Sequence, residues 1–319
     1  MARSPEMRVL VTGAAGFVGT KVAARLRLDF PQAELILADH GGQAASLRDG
    51  VAVDIADAAA VDALVQEWRP TTILHLAAVS AVTNAAADQR NTWRINTMGT
   101  LNLAISVVDH APNCHLVFVS SAEVYGRSAF SGQPVTEVSL LQPANPYAAT
   151  KAAADQLIQE ASGRGLFATI LRPFNHTGPG QIDNFAVPSF CRQIAQIEAG
   201  QQEAIMLVGE LDDQRDFLDV HDVVDLYSRV IGLGQNLENG LVMNVASGRP
   251  RRIREVLDTL LSFSSAQISI QVDPARIRPT RVPKIIGDAS KARELIGWIP
   301  TTRFEDTLLN TLNYWRSKY

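Results

Sequence analysis

The segment VLVTGAAGFVG at residues 9–19 constrains the fold more than any other part of the chain. A short apolar, β-branched run precedes Gly13, Gly16 and Gly19, and an apolar helical pattern follows. This order predicts a strand, a tight turn and a helix whose N-terminal N–H groups face an anion. The first glycine would permit the turn, the second would let the backbone approach a pyrophosphate, and the third would let the helix pack closely on the strand. The segment therefore predicts a dinucleotide site, although three spaced glycines also occur in ordinary turns of α/β proteins.

Acidic residues at the ends of the next two predicted strands extend this site. Residues 34–38 (ELILA) predict a buried strand that ends at Asp39, twenty residues after Gly19. A carboxylate at this point accepts hydrogen bonds from a ribose 2′-OH and repels a 2′-phosphate, which favours NAD(H) while leaving NADP(H) open. The alternative is a solvated loop aspartate. Residues 51–55 (VAVDI) predict a third strand, and Asp54 near its end is expected to reach the adenine.

Strands and helices alternate through the N-terminal half of the chain. Residues 72–78 (TILHLAA) and 116–120 (LVFVS) predict further strands, and residues 57–68 and 91–110 predict helices. This alternation predicts an α/β fold with a doubly wound, parallel sheet of the Rossmann type. Ligands bind beyond the carboxyl ends of the strands in such sheets. The further residues that we expect to contact the cofactor are Phe17, Val18, Ile55, Leu76, Ala77, Ala78 and Val119.

Tyr147 and Lys151 form a candidate catalytic pair in the segment NPYAATK at residues 145–151, which is predicted to open a helix. Positions i and i+4 share a helix face, so the phenol and the ammonium would point to the same place. A nearby cation lowers the pKa of a phenol, which would let Tyr147 exchange a proton near neutral pH. Without Ser121, at the end of the fifth strand, the pair would be ambiguous, because this spacing also occurs on surfaces.

Composition and charge exclude several function classes. The chain of 319 residues has a formal net charge of -4 and no cluster of lysine and arginine, so nucleic acid is not an expected partner. The two cysteines, Cys114 and Cys191, are expected to be reduced thiols, and no metal site is predicted. Neither the segment MARSPEMR nor any later run has the apolar length of a signal sequence or a membrane span. We therefore expect a cytoplasmic protein without a membrane partner.

Taken together, TGAAGFVG at residues 12–19, Asn96, Ser121, Tyr147 and Lys151 resemble the extended short-chain dehydrogenase/reductases, which act on nucleotide sugars. The resemblance covers essentially the whole chain. It implies that Ser121 and Tyr147 hydrogen-bond the reacting sugar oxygen, while Lys151 binds the nicotinamide ribose and lowers the tyrosine pKa. Asn96 and Arg172 are expected to join the cofactor-binding residues. A dinucleotide-sensing regulator with this fold would usually lack the tyrosine and lysine pair.

Within this family, LRPFNHTGPGQ at residues 171–181 resembles most the enzymes that reduce GDP-4-keto-6-deoxymannose, and somewhat less the GDP-mannose 4,6-dehydratases. The resemblance implies that Asn175 reaches the substrate or its phosphates and that Arg215 and Arg278 hold the diphosphate. The planar guanidinium suits that task because it can pair with two phosphate oxygens at once. The alternative for either arginine alone is a surface ion pair.

Glu123 and Ala122 bear on the choice between reduction and dehydration. The resemblance implies that a dehydratase uses a glutamate at the place of Glu123 to remove the C5 proton. In the dehydratases the preceding residue is an acid or commonly a serine, whereas Ala122 can donate no proton. We therefore predict NAD(P)H-dependent reduction of the 4-keto group of a nucleotide 4-keto-6-deoxyhexose, of the GDP-4-keto-6-deoxymannose to GDP-rhamnose type. Dehydration of GDP-mannose is the alternative, and 4-epimerisation comes third.

The chain length favours two domains. Residues 1–173 and 217–248 are expected to form the dinucleotide-binding domain, and residues 174–216 and 249–319 a smaller α/β lobe that binds the nucleotide sugar. The active site would then lie in the cleft between them. The helix at residues 91–110 is apolar on two faces, and small residues line the helix at residues 147–163. We therefore expect a homodimer in which these helices pack as a four-helix bundle.

Overall fold

The computed structural model describes residues 7–277 and 282–319. The strands are β1 (Arg8–Thr12), β2 (Glu34–Asp39), β3 (Val51–Ala52), β4 (Thr72–His75), β5 (His115–Val119), β6 (Ala168–Pro173), β7 (Asn175–Thr177), β8 (Ile205–Val208), β9 (Gln214–Asp219), β10 (Leu241–Val245), β11 (Pro250–Arg252), β12 (Ser269–Val272) and β13 (Lys284–Ile285). The helices are α1 (Phe17–Asp29), α2 (Gly41–Ala44), α3 (Ala58–Trp68), α4 (Val82–Ala87), α5 (Gln89–Trp93), α6 (Gly99–His110), α7 (Pro146–Gly163), α8 (Ala186–Glu198), α9 (Val220–Leu233), α10 (Ile253–Ser262), α11 (Ser290–Ile296) and α12 (Phe304–Arg316).

A seven-stranded parallel sheet organises the molecule, with strand order β10, β6, β5, β4, β1, β2, β3. This order confirms the predicted doubly wound α/β fold. The order reverses next to β1, where Leu10 lies between Ile36 of β2 and Ile73 of β4. The chain leaves these strands toward opposite faces of the sheet, and a crevice opens beyond their carboxyl ends.

Alternation along the strands divides the apolar core into two layers. Val9 and Val11 pack on the side of α1 and α9, whereas Leu10 packs on the side of α3, α6 and α7. All three side chains are fully buried. This pattern follows from the two-residue period of a strand and from a parallel sheet that is covered on both faces.

A second apolar core lies in the C-terminal half of the chain. It is built around Phe190 of α8, Leu257 of α10 and Leu308 of α12, together with β8. Ala292 of α11 and Trp298, from the segment assigned to the smaller lobe, pack with the core of the large sheet, and Phe217 packs with the second core.

Three aspartates of the segment RDFLDVHD tie this half of the molecule to the large sheet. Asp216 accepts hydrogen bonds from the backbone N–H groups of Ser247 (2.8 Å) and Gly248 (2.9 Å). Asp219 caps α9 and accepts the hydroxyl of Thr307 at 2.7 Å. Asp222 accepts backbone N–H groups from residues 301 and 302. These three acids therefore have structural roles, since each accepts hydrogen bonds from the backbone or a hydroxyl of another segment.

Both edges of the large sheet are short or covered. At one edge, β3 contains only two residues. At the other, the backbone N–H of Asn244 in β10 donates to the Glu137 carboxylate at 2.8 Å, and Lys291 donates to the Val242 carbonyl at 3.1 Å. Side chains thus occupy backbone groups of β10 that a further strand would need.

Arg172 does not reach the cofactor region, contrary to the prediction. Its guanidinium forms a bidentate ion pair with Asp155 of α7 at 2.9 and 2.8 Å and also donates to the Tyr125 hydroxyl at 3.0 Å. Arg172 and Asp155 are 2% and 0% exposed at their side chains. The reason is the strand period, because Leu171 points to the α1 side and Arg172 therefore points beneath α7. Removal of either charge would leave the other buried without a partner, which typically costs about 3–5 kcal/mol.

Two predicted elements end differently in the structure. The predicted helix at residues 91–110 consists of α5, a π turn (Arg94–Met98) and α6. The predicted strand at residues 72–78 ends at His75, and residues 76–78 turn toward the cleft. Within the described ranges, none of the helices combines the length and hydropathy needed to cross a bilayer.

Candidate active site

A cleft of about 1720 Å³ lies between the carboxyl edge of the large sheet and the second core. The predicted cofactor residues that line it are Gly13, Gly16, Phe17, Val18, Asp39, Asp54, Ile55, Leu76, Ala77, Ala78 and Val119. The predicted catalytic residues Ser121, Glu123, Tyr147 and Lys151 and the predicted substrate residues Asn175 and Arg215 also line it. Arg278 lies outside the described residues.

The glycine turn has the geometry that a pyrophosphate requires. Gly13 has a φ of +71°, and a Cβ at this position would lie 2.7 Å from the backbone nitrogen of Ala77. Gly16 forms the N-cap of α1 with an ordinary extended conformation and provides no side-chain cap. A Cβ at Gly16 would meet only the Gly13 carbonyl, at 3.2 Å. The helix N-terminus is therefore open to the cleft, and these residues fit a dinucleotide phosphate group.

Asp39 lies beside this turn at the end of β2. One carboxylate oxygen accepts the Ala15 N–H at 2.9 Å and the other accepts the His40 N–H at 2.8 Å. Arg48, the cation nearest in sequence, pairs instead with Asp49 at 3.8 Å, and both side chains are more than nine-tenths exposed. Asp39 thus lines the cleft with its carboxylate held against the turn by two backbone N–H groups, and none of its described contacts is an arginine.

Asp54 lines the cleft, and its carboxylate already has partners within the protein. It pairs with Arg94 at 2.8 Å and accepts the Ala56 N–H at 3.0 Å. These interactions, the Arg94 bond foremost, hold the pKa of Asp54 below its ordinary value. The carboxylate thus stays ionised beside the expected adenine position.

The strand β5 and the helix α7 bring Ser121, Tyr147 and Lys151 together. Asn145 caps α7 through the Ala148 N–H at 2.8 Å, which places Tyr147 in the first turn of the helix. The Ser121 hydroxyl accepts the Glu123 N–H at 3.2 Å and lies near enough to the Tyr147 phenol to influence its pKa. Lys151, one turn further on, donates to the Val119 carbonyl at 2.5 Å.

Burial dominates the protonation of this group. It raises the pKa of Tyr147 to about 12, a shift that the nearby Ser121 hydroxyl reduces and the Glu123 charge increases. It lowers the pKa of Lys151 to about 7, against the opposing effect of Asp155. The expected lowering of the tyrosine pKa by Lys151 is not seen, because burial raises this pKa and also favours the uncharged form of Lys151. The protonated phenol is the stable form at neutral pH, which suits a proton donor.

Glu123 is held by a neighbour, and Ala122 supplies no acid. The Glu123 carboxylate accepts the side-chain amide of Asn145 at 2.9 Å. Ala122 is 4% exposed and lines the cleft between Ser121 and Glu123. Of these neighbouring positions, only Glu123 offers a group for proton removal, and no proton donor stands at Ala122.

Asn96 does not line the cleft, contrary to the prediction. It is 1% exposed, and its amide oxygen accepts the Val79 N–H at 2.8 Å. Its amide nitrogen donates to the Val79 carbonyl at 3.2 Å and to the Thr150 hydroxyl at 3.0 Å. The π turn directs the side chain into the protein, where it fixes the loop after β4 against α7.

Sequence reasoning missed three cleft residues. His176 stacks on Phe17 with ring centroids 6.4 Å apart, and it follows Asn175 in a segment that was already singled out. Arg276 donates to the Ser189 hydroxyl at 3.2 Å, two positions before Arg278. Tyr227 lies on the buried face of α9 at 1% exposure, and its sequence signal is that of an apolar helix stripe.

Arg215 lines the cleft and also takes part in an ion pair. Its guanidinium pairs with Asp213 at 2.9 Å and donates to the Gln214 carbonyl at 2.9 Å. The side chain is 16% exposed and lines the cleft. Arg215 therefore lies in the cleft while it is paired with Asp213, and its role toward a diphosphate stays a prediction.

Comparison with known proteins places this geometry among nucleotide-sugar enzymes. Residues 10–311 match the family model for GDP-mannose 4,6 dehydratase. The GDP-6-deoxy-D-mannose reductase of Pseudomonas aeruginosa is 34% identical over 98% of each chain. The structure of RMD from Pseudomonas aeruginosa complexed with NADPH superposes with a TM-score of 0.86 at 32% identity, covering 98% of this chain and 100% of that one. The Thermus thermophilus UDP-glucose 4-epimerase complex with NAD gives a TM-score of 0.85 at 26% identity over 98% of this chain and 100% of that one.

The glycine geometry predicts separate effects on folding and on ligand binding. Gly16→Ala should fold normally, because its φ of -69° suits alanine, yet bind a reduced nicotinamide dinucleotide about tenfold or more weakly. The added methyl group would keep the phosphates from the helix N-terminus. Fluorescence titration with NADH and NADPH measures the affinity, and Gly163→Ala, which meets no atom within 4 Å, is the control. Unchanged affinity for both cofactors in Gly16→Ala would contradict the assignment.

Proposed function

Because the chain belongs to the GDP-mannose 4,6-dehydratase family, we propose that it uses NAD(P)H to reduce the 4-keto group of GDP-4-keto-6-deoxymannose to GDP-rhamnose. The observation that carries the proposal is that Ser121, Tyr147 and Lys151 line one cleft, in which Ala122 stands where a dehydratase would need a proton donor. The similarity to the GDP-6-deoxy-D-mannose reductase supports the same reaction.

The described residues supply each function that ketone reduction needs from the protein. When bound, a reduced nicotinamide supplies a hydride to the C4 carbonyl carbon. Tyr147 then gives its proton to the oxygen on C4, while Ser121 holds that oxygen by a hydrogen bond. Lys151, now bonded to the Val119 carbonyl, supplies the ammonium that would hold the nicotinamide ribose. The glycine turn and Asp39 would hold the phosphates and the adenosine ribose.

Dehydration makes a different demand on the same cleft. It needs a base at C5 and an acid at C6, two groups of opposite protonation on one sugar ring. Glu123 would serve as the base, but Ala122 provides no acid. In the proposed reductase, Glu123 and its partner Asn145 would position the sugar without taking part in the chemistry.

Turnover with defined sugars tests this proposal. Purified protein should consume NADH or NADPH in the presence of GDP-4-keto-6-deoxymannose, and the spectrum of the product by NMR should identify GDP-rhamnose. A separate incubation with GDP-mannose and catalytic NAD, followed by the absorbance of keto sugars in alkali, should give no product. Formation of a 4-keto sugar in that incubation would overturn the assignment in favour of the dehydratase.

The role of Tyr147 gives a sharper prediction. Tyr147→Phe should lower kcat by at least about a hundredfold, because general acids typically contribute that much, and should leave cofactor affinity nearly unchanged. The matched control is Tyr125→Phe, since the Tyr125 hydroxyl bonds Asn244 in the core, away from the cleft. Tyr125→Phe should lower stability but not kcat at a temperature where the protein is folded. Retention of more than about a tenth of kcat in Tyr147→Phe would rule out the assigned role.

We further propose that the enzyme prefers NAD(H). The support is Asp39, whose carboxylate lies at the turn and would repel a 2′-phosphate, with Arg48 directed to Asp49. A related structure is complexed with NADPH, so a preference for NADP(H) is the alternative to test. Steady-state kinetics should give a higher kcat/KM with NADH than with NADPH, and Asp39→Asn should narrow the difference. A higher kcat/KM with NADPH in the unmodified enzyme would refute the preference.

We also propose a homodimer through α6 and α7. Met98, Ile105 and Val108 are each about half exposed along one side of the π turn and α6, and α7 packs beside them with small residues. Exposed apolar stripes of this kind mark interaction surfaces. Sedimentation at micromolar concentration should show a dimer that Ile105→Glu dissociates, whereas Leu28→Glu on α1 should not. A monomeric unmodified protein would disprove the proposal.

A further inference from the structure

A chain of buried hydroxyl, imidazole and amide groups joins the glycine turn to α7. The Thr12 hydroxyl, directly before Gly13, lies 2.7 Å from Nδ1 of His75. The Nε2 atom of His75 lies 3.0 Å from the Thr100 hydroxyl, which in turn donates to the Asn96 carbonyl at 2.8 Å. The four residues are each 1% exposed.

The partners fix the direction of every hydrogen bond in this chain. A carbonyl only accepts, so the Thr100 hydroxyl gives its proton to Asn96 and must accept from Nε2–H of His75. Nδ1 is then an acceptor, and the Thr12 hydroxyl donates to it. The Thr12 oxygen is left to accept the Ala77 N–H at 3.3 Å. His75 is therefore held in one tautomer, with both ring nitrogens used.

The far end of the chain reaches the catalytic helix. Asn96 lies in the π turn, and such turns are frequent at functional sites because they redirect side chains. Its amide nitrogen donates to the Thr150 hydroxyl, which donates to the Tyr147 carbonyl at 2.8 Å. Its amide oxygen accepts the Val79 N–H in the loop after β4.

We propose that His75 and Thr100 are positioning residues that hold the first turn of α7, and so Tyr147, in register with the glycine turn. The hydrogen bonds from Thr12 through His75 and Thr100 to Asn96 are buried and directional, so a displacement at one end would leave unsatisfied groups along the chain. Neither residue touches the expected substrate. Their contribution would be to keep the proton donor at a fixed distance from the bound dinucleotide.

The imidazole suits this role because it does not titrate near neutral pH. Burial, assisted by the Lys151 charge, lowers the pKa of His75 to about 3. The ring therefore keeps one donor and one acceptor over the working range. A charged ring would carry two donors, and Nδ1–H would then face the Thr12 hydroxyl proton.

Thr100→Val, with Thr100→Ser as the matched control, tests the proposal. The valine has nearly the same shape but lacks the hydroxyl, whereas the serine keeps it. At a temperature where all forms are folded, Thr100→Val should lower kcat by about tenfold or more, the effect of one buried bond, with the KM for the cofactor little changed. Thr100→Ser should stay within about threefold of the unmodified enzyme. A lower melting temperature with unchanged kcat would overturn the proposal.

Hydrogen exchange supplies a readout that does not depend on activity. Thr100→Val should speed hydrogen exchange in residues 77–80 and 146–152 as well as in α6. The Val79 N–H donates to Asn96, and residues 146–152 surround Thr150, whose hydroxyl accepts from Asn96. A purely local effect would be confined to α6 and would contradict the proposal. If Thr100→Val does not fold, Thr150→Val against Thr150→Ser should loosen residues 77–80 in the same way.

The kinetic test rests on the proposed function, but the exchange test does not. If the unmodified protein fails to reduce the keto sugar, the proposed function fails, while the exchange patterns still decide the positioning role. If the unmodified protein is active and Thr100→Val changes neither kcat nor exchange beyond α6, the positioning role alone fails.

Discussion

The close approach of the glycine turn to the neighbouring strand is the constraint on which the rest of the structure depends. Gly13 lies so near the backbone at Ala77 that any side chain would separate β1 from the loop after β4. This approach occurs at the point where the sheet order reverses, so the crevice, the helix N-terminus and the loop that Asn96 holds all meet there. The buried polar chain that reaches α7 also begins beside this contact, at Thr12.

Desolvation sets the chemical state of the cleft before any ligand arrives. The same burial moves Tyr147 and Lys151 toward their uncharged forms, since removing water penalises a phenolate and an ammonium alike. A charged ligand that enters would change this balance, because it adds charge where water is scarce. Beneath the site, Asp155 faces Arg172 and also raises the Lys151 pKa, so the buried ion pair and the catalytic lysine are electrostatically linked.

Much of the fold could be predicted from the sequence, because periodicity and glycine spacing act locally. The glycine turn, the parallel sheet and the capped start of α7 follow from residues close together in the chain. Arg172 and Asn96 were assigned wrongly because their partners, Asp155 and Val79, are distant in sequence and only the tertiary fold shows where the side chains point. The raised Tyr147 pKa was missed for a related reason, since helical spacing reveals a neighbouring cation but not the depth of burial.

The edges of the large sheet bear on whether a further strand can add to it. A parallel sheet with an open edge offers a row of N–H and C=O groups to which an unfolded segment can add as a further strand. Here β3 is too short to serve as a template, and Glu137 and Lys291 occupy groups of β10 with a carboxylate and an ammonium. Both side chains that occupy β10 are charged, so a strand that added at this edge would have to displace a carboxylate and an ammonium.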